Sequence, residues 1–320
     1  HWPRFSAASD ASVKPVIRSR GNRSNNRHAQ ATARMLKKRI LTALVLIPLT
    51  VWALFGWPQP AFAAFLGVFI LIGAWEWTAL CGLQKPPVRL LYVVLIGISG
   101  GLLATSPALL VKASAMWPLL AVIVLWWLWA FIEVLAYQDA RQGFLASLPG
   151  KLLSGFFILL PAWLVPLMLR DLPHGTLPDG KWLTLYLLVI VWVADTGAYF
   201  AGHRWGKTKL APHVSPGKTW EGVAGGLVAV LVLALTAGAF SWRFAGTELV
   251  TWVALSLATA FVSVFGDLFE SRAKRAVGVK DSGTIFPGHG GVLDRIDAFT
   301  AAAPMFALLW LLWRTPTGGL

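Results

Sequence analysis

Carboxylates are scarce in this chain, and many of those in its C-terminal half lie close together. Of 14 acidic residues among 320, six lie in or beside two polar segments that separate apolar stretches. These six are Asp195, Glu221, Asp267, Glu270, Asp294 and Asp297. An acid in or beside hydrocarbon costs at least about 2.5 kcal/mol, so such acids are usually retained for a function. Asp267, Asp294 and Asp297 therefore predict a magnesium site, because Mg²⁺ takes oxygen ligands and shares its coordination shell with substrate phosphates.

Cations accompany these acids in the segment 265–297. Those that could neutralise a phosphate include Lys274, Arg275, Lys280 and Arg295. Such side chains neutralise phosphate oxygens, and acids with cations are the groups that phosphoryl transfer requires. A structural alternative stays open. Glu270 and Lys274, four residues apart, could pair on a helix surface, and the other cations could lie near lipid headgroups.

A glycine-rich turn, Pro287 to Gly291, lies inside the same segment. Glycine lets the backbone approach a ligand without obstruction by a side chain. His289, within this turn, could bind a phosphate, act as an acid or hydrogen-bond to the backbone. Its residue type does not distinguish these roles.

A second polar segment, 202–221, contains Gly217-Lys218-Thr219, which is similar to the end of a P-loop. A P-loop requires glycine at position 212, where this chain has Pro212, and a preceding strand, so that interpretation fails. The pattern instead predicts an anion site at a helix start, where backbone N–H groups face a phosphate. The candidate substrate-binding residues are Ser215, Lys218, Lys274 and Arg275.

Asp195 lies within an apolar stretch and must face protein or water. It could be a second metal ligand, a polar clamp on a nucleotide, or a buried acid paired with an arginine. His203 and His213 are ten residues apart without a neighbouring thiol, so zinc is not indicated.

The elements that must position these residues are membrane helices. The chain is 57% hydrophobic and 13% charged with a mean hydropathy of +0.65, whereas soluble domains are about a quarter charged. Apolar runs near the roughly 20 residues that a spanning helix needs recur along the chain. They lie at about 40–56, 61–81, 90–105, 117–136, 152–169, 182–201, 222–241, 247–266 and 298–313. The predicted fold is an all-α, polytopic integral membrane protein with about nine transmembrane helices.

Two G-x-x-x-G pairs, Gly97 with Gly101 and Gly222 with Gly226, predict close helix packing rather than catalysis.

Orientation follows from the basic residues, because Lys and Arg near span ends are retained in the cytoplasm. Ten lie before or at the start of the first span, 13 more on the same side, and five on the other. This split predicts a multi-pass protein of the inner membrane, with the N-terminus and the active site cytoplasmic and the C-terminus outside.

The remaining composition limits the partners. A net charge of +14 borders apolar spans without interleaved aromatics, so anionic lipid is a simpler partner than nucleic acid. Cys81, the one cysteine, has no disulfide partner in the chain. Residues 1–34 are polar and basic, and we expect a disordered N-terminal extension there, followed by a membrane-embedded domain over 35–320.

The pattern from Ser271 to Asp297 closely resembles the signature of phosphatidate cytidylyltransferases, also called CDP-diacylglycerol synthases. It reads Ser271-x-x-Lys274-Arg275-x4-Lys280-Asp281-x-Gly283-x2-Phe286-Pro287-x-His289-Gly290-Gly291-Val292-x-Asp294-Arg295-Ile296-Asp297. The segments 195–199 and 215–222 also look like that family, and the resemblance extends from about Met35 to the end. Ala273 stands where the family usually has a larger apolar residue, a difference that concerns packing.

The resemblance implies a polytopic helical enzyme, commonly dimeric, that uses magnesium, with a second monovalent or divalent cation left open. Its substrates would be CTP and phosphatidic acid, and its site would open to the bilayer on the cytoplasmic side. Carried over by position, Asp267 and Asp294 would be metal ligands, and Lys280, His289 and Arg295 would lie against the phosphates as catalytic residues. The expected reaction is attack of the lipid phosphate on the α-phosphorus of CTP, with pyrophosphate leaving.

Two other functions were weighed against this one. A CDP-alcohol phosphotransferase would carry a motif that begins Asp-Gly-x-x-Ala-Arg, which this chain lacks. A transporter could use Glu76, Glu133 and Asp195 as an ion path, but the acids cluster at one face and the two halves of the chain show no repeat.

Overall fold

Helices account for nearly all of the structure, a computed structural model that describes residues 44–105, 113–136, 143–172, 178–283, 285 and 290–314. The helices are α1 (Leu44–Gly56), α2 (Gln59–Leu80), α3 (Pro86–Ala104), α4 (Ala113–Leu135), α5 (Leu148–Arg170), α6 (Gly180–Trp205), α7 (Trp220–Thr236), α8 (Gly246–Ala276) and α9 (Leu293–Arg314). Within this part of the chain, α2 to α9 are eight helices long and apolar enough to cross a membrane, and α1 is a shorter apolar helix. The predicted all-α membrane fold is confirmed, with eight long helices where about nine were expected. The expected extension, residues 1–34, lies outside the described residues.

Prolines and capping side chains set several helix boundaries. Pro58 precedes α2, and Pro86 begins α3, because proline lacks the N–H that a helix interior needs. Ser147 caps α5 by accepting a hydrogen bond from Gly150 N at 3.1 Å. These residues therefore mark where α2, α3 and α5 begin.

The two helices that carry most of the acids are longer than the predicted spans. The predicted span 247–266 continues as helix to Ala276, so Asp267, Glu270 and Lys274 lie on α8. The predicted span 298–313 begins earlier, at Leu293, which places Asp294 and Asp297 at the start of α9. A hydropathy pattern predicts that a span ends where the apolar residues end. These two helices extend further, because their charged side chains form ion pairs and hydrogen bonds with neighbouring elements.

The core is formed by α5 and α9, whose most apolar stretches are 72% and 61% buried, against 17% for α3. The G-x-x-x-G pair on α7 is a packing site as predicted, since a Cβ at Gly226 would lie 2.7 Å from the Ala194 carbonyl of α6. For the pair on α3, the prediction of close packing is correct at Gly97 only. Gly97 packs near Leu71, whereas a Cβ at Gly101 would meet open space.

A short antiparallel hairpin lies between α6 and α7. Its strands are β1 (Lys209–Ala211) and β2 (Ser215–Thr219), and they are the only strands in the described part of the chain. Glu221, in the first turn of α7, accepts hydrogen bonds from Thr208 N at 3.1 Å through both carboxylate oxygens. The hairpin is therefore anchored to the start of the helix that follows it.

Candidate active site

An ion pair joins α8 to the start of α9. Lys274 Nζ lies 2.6 Å from Asp294 Oδ1, and both side chains are nearly buried. The other oxygen of Asp294 accepts hydrogen bonds from Ser282 N at 2.9 Å, Ser282 Oγ at 2.9 Å and Gly291 N at 2.8 Å. Asp294 thus holds together the helix pair and the segment between the two helices.

A second ion pair connects the hairpin to α8. Lys218 Nζ lies 2.7 Å from Asp267 Oδ2, and Ser271 Oγ donates to Asp267 Oδ1 at 3.2 Å. The Lys218 and Asp267 side chains are 24% and 31% exposed, so solvent or a ligand reaches both. The fold therefore brings together the two polar segments that the sequence analysis identified separately.

Further carboxylates lie beside these ion pairs. Glu270 is 3% exposed, and neither of its carboxylate oxygens has a hydrogen-bond partner among the described residues. Lys274 Nζ approaches one of these oxygens to 3.4 Å. Asp297 lies within electrostatic range of Asp195, Asp267 and Glu270. Four carboxylates therefore face a common region, which Lys218, Lys274 and Arg295 partly neutralise.

This arrangement bears on the predicted magnesium ion. Within the described ranges, no three His, Cys, Asp or Glu side chains are grouped at metal-binding positions. The donor set nevertheless fits Mg²⁺ chemically, because the buried oxygens of Glu270 lack hydrogen-bond donors and lie among other carboxylates.

Two cavities lie beside these charges, and Asp195 lines both of them. The first, of about 510 Å³, lies between α6, the hairpin, α7 and α8, and its lining includes Asp195, His203, Lys218 and Asp267. The second, of about 370 Å³, lies between α1, α2, α5, α6 and α9. Its lining is mostly aliphatic and aromatic, and its charged members are Asp195, Asp294, Arg295 and Asp297. The Asp195 residue is exposed in the structure. It lines both cavities, so its exposed surface faces these cavities within the bundle.

The other predicted residues are placed differently. Lys280 is exposed and lines neither of these two cavities. Arg275 donates to the Val214 and Val279 carbonyls, both at 3.3 Å, so it fastens the hairpin turn to the end of α8. Ser215 pairs with Ala211 in the hairpin and also lies outside both cavities. His289 falls outside the described residues.

The sequence analysis did not assign Glu76 or Ser282 to the site. Glu76, on α2, accepts hydrogen bonds from Ser282 and from the first residues of α9. The signal was available, because Glu76 is an acid inside a predicted span, but only a transporter role was considered for it. Glu133, another acid inside a predicted span, pairs with Arg272 of α8 instead.

Across the described ranges, eight long apolar helices around two cavities and a shared group of carboxylates and cations define a polytopic membrane protein with a site suited to phosphate chemistry. Residues 37–313 match the family model of the cytidylyltransferase family, and the chain belongs to that family. It is accordingly a nucleotidyltransferase.

Three phosphatidate cytidylyltransferases match this chain along nearly their whole lengths. The chain is 41% identical over 285 residues to the phosphatidate cytidylyltransferase of Haemophilus influenzae, covering 86% of this chain and 99% of that protein. It is 43% identical over 284 residues to the phosphatidate cytidylyltransferase of Pseudomonas aeruginosa, covering 88% and 100%. The protein of that name from Brucella suis is 32% identical over 288 residues, covering 88% and 95%.

Proposed function

We propose that this chain transfers the cytidylyl group of CTP to phosphatidic acid, forming CDP-diacylglycerol and pyrophosphate in phospholipid biosynthesis. The observation that carries the proposal is that Asp195 lines both a cavity edged by Lys218 and Asp267 and a second, mostly apolar cavity. A nucleotide and a lipid must approach one reaction centre from different surroundings. The similarity to phosphatidate cytidylyltransferases supports the same activity.

The two substrates would occupy the two cavities. The first cavity has the Lys218 ammonium and hairpin backbone that would bind a triphosphate. The second has Phe62, Leu66 and Phe69 for acyl chains, with Arg295 available for the lipid phosphate. Asp195 lies where the two ligands would meet.

The reaction requires alignment and charge neutralisation more than a strong base. The lipid phosphate is an anion near neutral pH. Its oxygen forms a bond to the α-phosphorus as the bond from that phosphorus to the bridging oxygen breaks, and pyrophosphate leaves with that oxygen. Lys218, Lys274 and Arg295 would stabilise the phosphate charges. Lys280 and His289 remain candidates for contacts with the phosphates.

Magnesium would be held by Asp267, Asp294 and Asp297, with the carboxylate of Glu270, whose oxygens accept no hydrogen bond from the described residues, beside them. When bound, it would neutralise charge on the triphosphate. The lysines that now pair with Asp267 and Asp294 would then be available to phosphate oxygens. A second cation and a homodimer stay predictions from the sequence.

The location follows from the same proposal. We place the chain in the inner membrane with its N-terminus and the site on the cytoplasmic side. The excess of basic residues on that side supports this orientation. CTP is available there.

The test is turnover by the protein purified in detergent with CTP, phosphatidic acid and Mg²⁺. We expect stoichiometric pyrophosphate and CDP-diacylglycerol that require both substrates, and loss of turnover with EDTA that excess Mg²⁺ reverses. Omission of phosphatidic acid is the control for simple CTP hydrolysis. Solute or proton flux in liposomes without any product would instead favour a transporter.

A further inference from the structure

Glu76 is a buried carboxylate of α2 that contacts the start of α9. It is 3% exposed. Its Oε1 accepts a hydrogen bond from Val292 N at 3.1 Å, and its Oε2 accepts one from Leu293 N at 2.8 Å. The first N–H groups of a helix have no partner within that helix, and a carboxylate there is favoured by the helix dipole. Glu76 thus supplies from another helix the cap that α9 needs.

The same carboxylate shares a partner with Asp294. Ser282 Oγ lies 3.2 Å from Glu76 Oε2 and 2.9 Å from Asp294 Oδ2. Ser282 precedes the glycine-rich segment 283–291, and Val292 follows it. Glu76 therefore holds both ends of this segment, while Asp294 binds Ser282 at one end and Gly291 at the other.

Two glycines of the segment are explained by Glu76. The three atoms nearest to a Cβ added at Gly283 all belong to Glu76, and they would overlap it. A Cβ added at Gly291 would overlap the Glu76 carboxylate and Ser282 Oγ. At Gly291, the close approach that the sequence analysis attributed to a ligand is made by a side chain of α2 and by Ser282.

We propose that Glu76 is a positioning residue of the active site. It binds Ser282, Val292 and Leu293, which fixes the first turn of α9 and thereby holds Asp294 and Asp297 opposite the acids of α8. A rigid helix carries Glu76, so the position of Asp294 is set by contacts on both α2 and α8. The inference depends on the proposed function only in the experiments that measure turnover.

Glu76→Gln tests this, with Glu133→Gln as the matched control. Both residues are intramembrane acids that bind a backbone N–H and a second group, but Glu133 contacts Phe144 N and Arg272, away from the glycine-rich segment. We expect both variants to melt at lower temperature. Only Glu76→Gln should lower kcat/KM per folded molecule, by about 10- to 100-fold, the usual effect of losing a residue that supports a metal site. It should also raise the Mg²⁺ concentration for half-maximal turnover.

Hydrogen exchange provides a readout that does not depend on activity. The amides of Val292 and Leu293 should exchange faster in Glu76→Gln and remain protected in Glu133→Gln. Unchanged amide exchange in Glu76→Gln would overturn the proposal. Wild-type turnover in that variant would also overturn it, as would an equal loss of kcat/KM per folded molecule in Glu76→Gln and Glu133→Gln. If the wild-type protein makes no CDP-diacylglycerol, the proposed function fails, while exchange still decides the role of Glu76.

A double-mutant cycle tests the contact itself. Gly283→Ala should lower the melting temperature in the wild-type background, because the new methyl group meets Glu76. The same change should have little effect in a Glu76→Ala background, where that space is open. Equal shifts in both backgrounds would contradict the proposed contact.

Discussion

Lys274 on α8 and Asp294 on α9 form an ion pair with an N–O distance of 2.6 Å, although 19 residues separate them in the chain. The pair closes the segment between the two helices, because Asp294 also binds Ser282 and Gly291 within it. Lys274 reaches Glu270 as well, one turn back on its own helix. The sequence pattern raised only this shorter Glu270–Lys274 pair, as a structural alternative to a functional role, so the structure adds the contact that orients the site.

Asp294→Asn should abolish turnover without unfolding the protein. An amide oxygen can still accept from Ser282 or Gly291, but the charge that pairs with Lys274 and would bind Mg²⁺ is lost. We expect a loss of at least about 100-fold in kcat, similar to removal of one electrostatic stabiliser from an active site. Pyrophosphate release and far-UV circular dichroism measure the two effects. Full activity in a folded variant would contradict a role for Asp294 at the metal.

Lys218→Ala should weaken CTP binding more than lipid binding. Its ammonium pairs with Asp267 at the first cavity, so its removal takes away a cation that would contact the triphosphate. We expect KM for CTP to rise about tenfold, the effect of roughly 1.4 kcal/mol of lost binding, with KM for phosphatidic acid nearly unchanged. Lys209→Ala, an exposed residue of the same hairpin, is the control. Equal effects of the two variants would argue against a specific contact.

Leu188→Trp should impair use of the lipid. Leu188 lines the second cavity, two turns before Asp195 on α6, and an indole there would occupy volume assigned to an acyl chain. KM for long-chain phosphatidic acid should rise while KM for CTP stays the same, and a short-chain analogue should be less affected. Val228→Trp, on an exposed face of α7, is the control. A selective rise in KM for CTP would reverse the assignment of the cavities.

Cysteine labelling should establish the orientation. Burial raises the pKa of the native Cys81 thiol to about 12, so little thiolate forms near neutral pH and Cys81 should label slowly. Lys207→Cys on the site side and Thr247→Cys at the other end of the bundle introduce exposed thiols. An impermeant maleimide applied to intact spheroplasts should label the Thr247→Cys variant alone, and the Lys207→Cys variant only after lysis. The opposite pattern would invert the proposed topology.

Local composition determined the helical membrane fold and most of the candidate residues. Apolar stretches of spanning length were enough to predict the helices, because a backbone in hydrocarbon must satisfy its own hydrogen bonds. The scarcity of acids was enough to single out Asp195, Asp267, Asp294 and Asp297, since charge in or beside an apolar span is costly wherever the helices pack.

Tertiary packing decided which of these residues act together. The pairing of Lys218 with Asp267 and the capping of α9 by Glu76 join residues 49 and more than 200 positions apart. Periodicity and hydropathy describe neighbours along one helix, and they do not specify which faces of different helices meet. Gly283 and Gly291 illustrate the difference. Both glycines were visible in the sequence, but the space beside them is taken by the Glu76 carboxylate of α2, which only the packed bundle brings near.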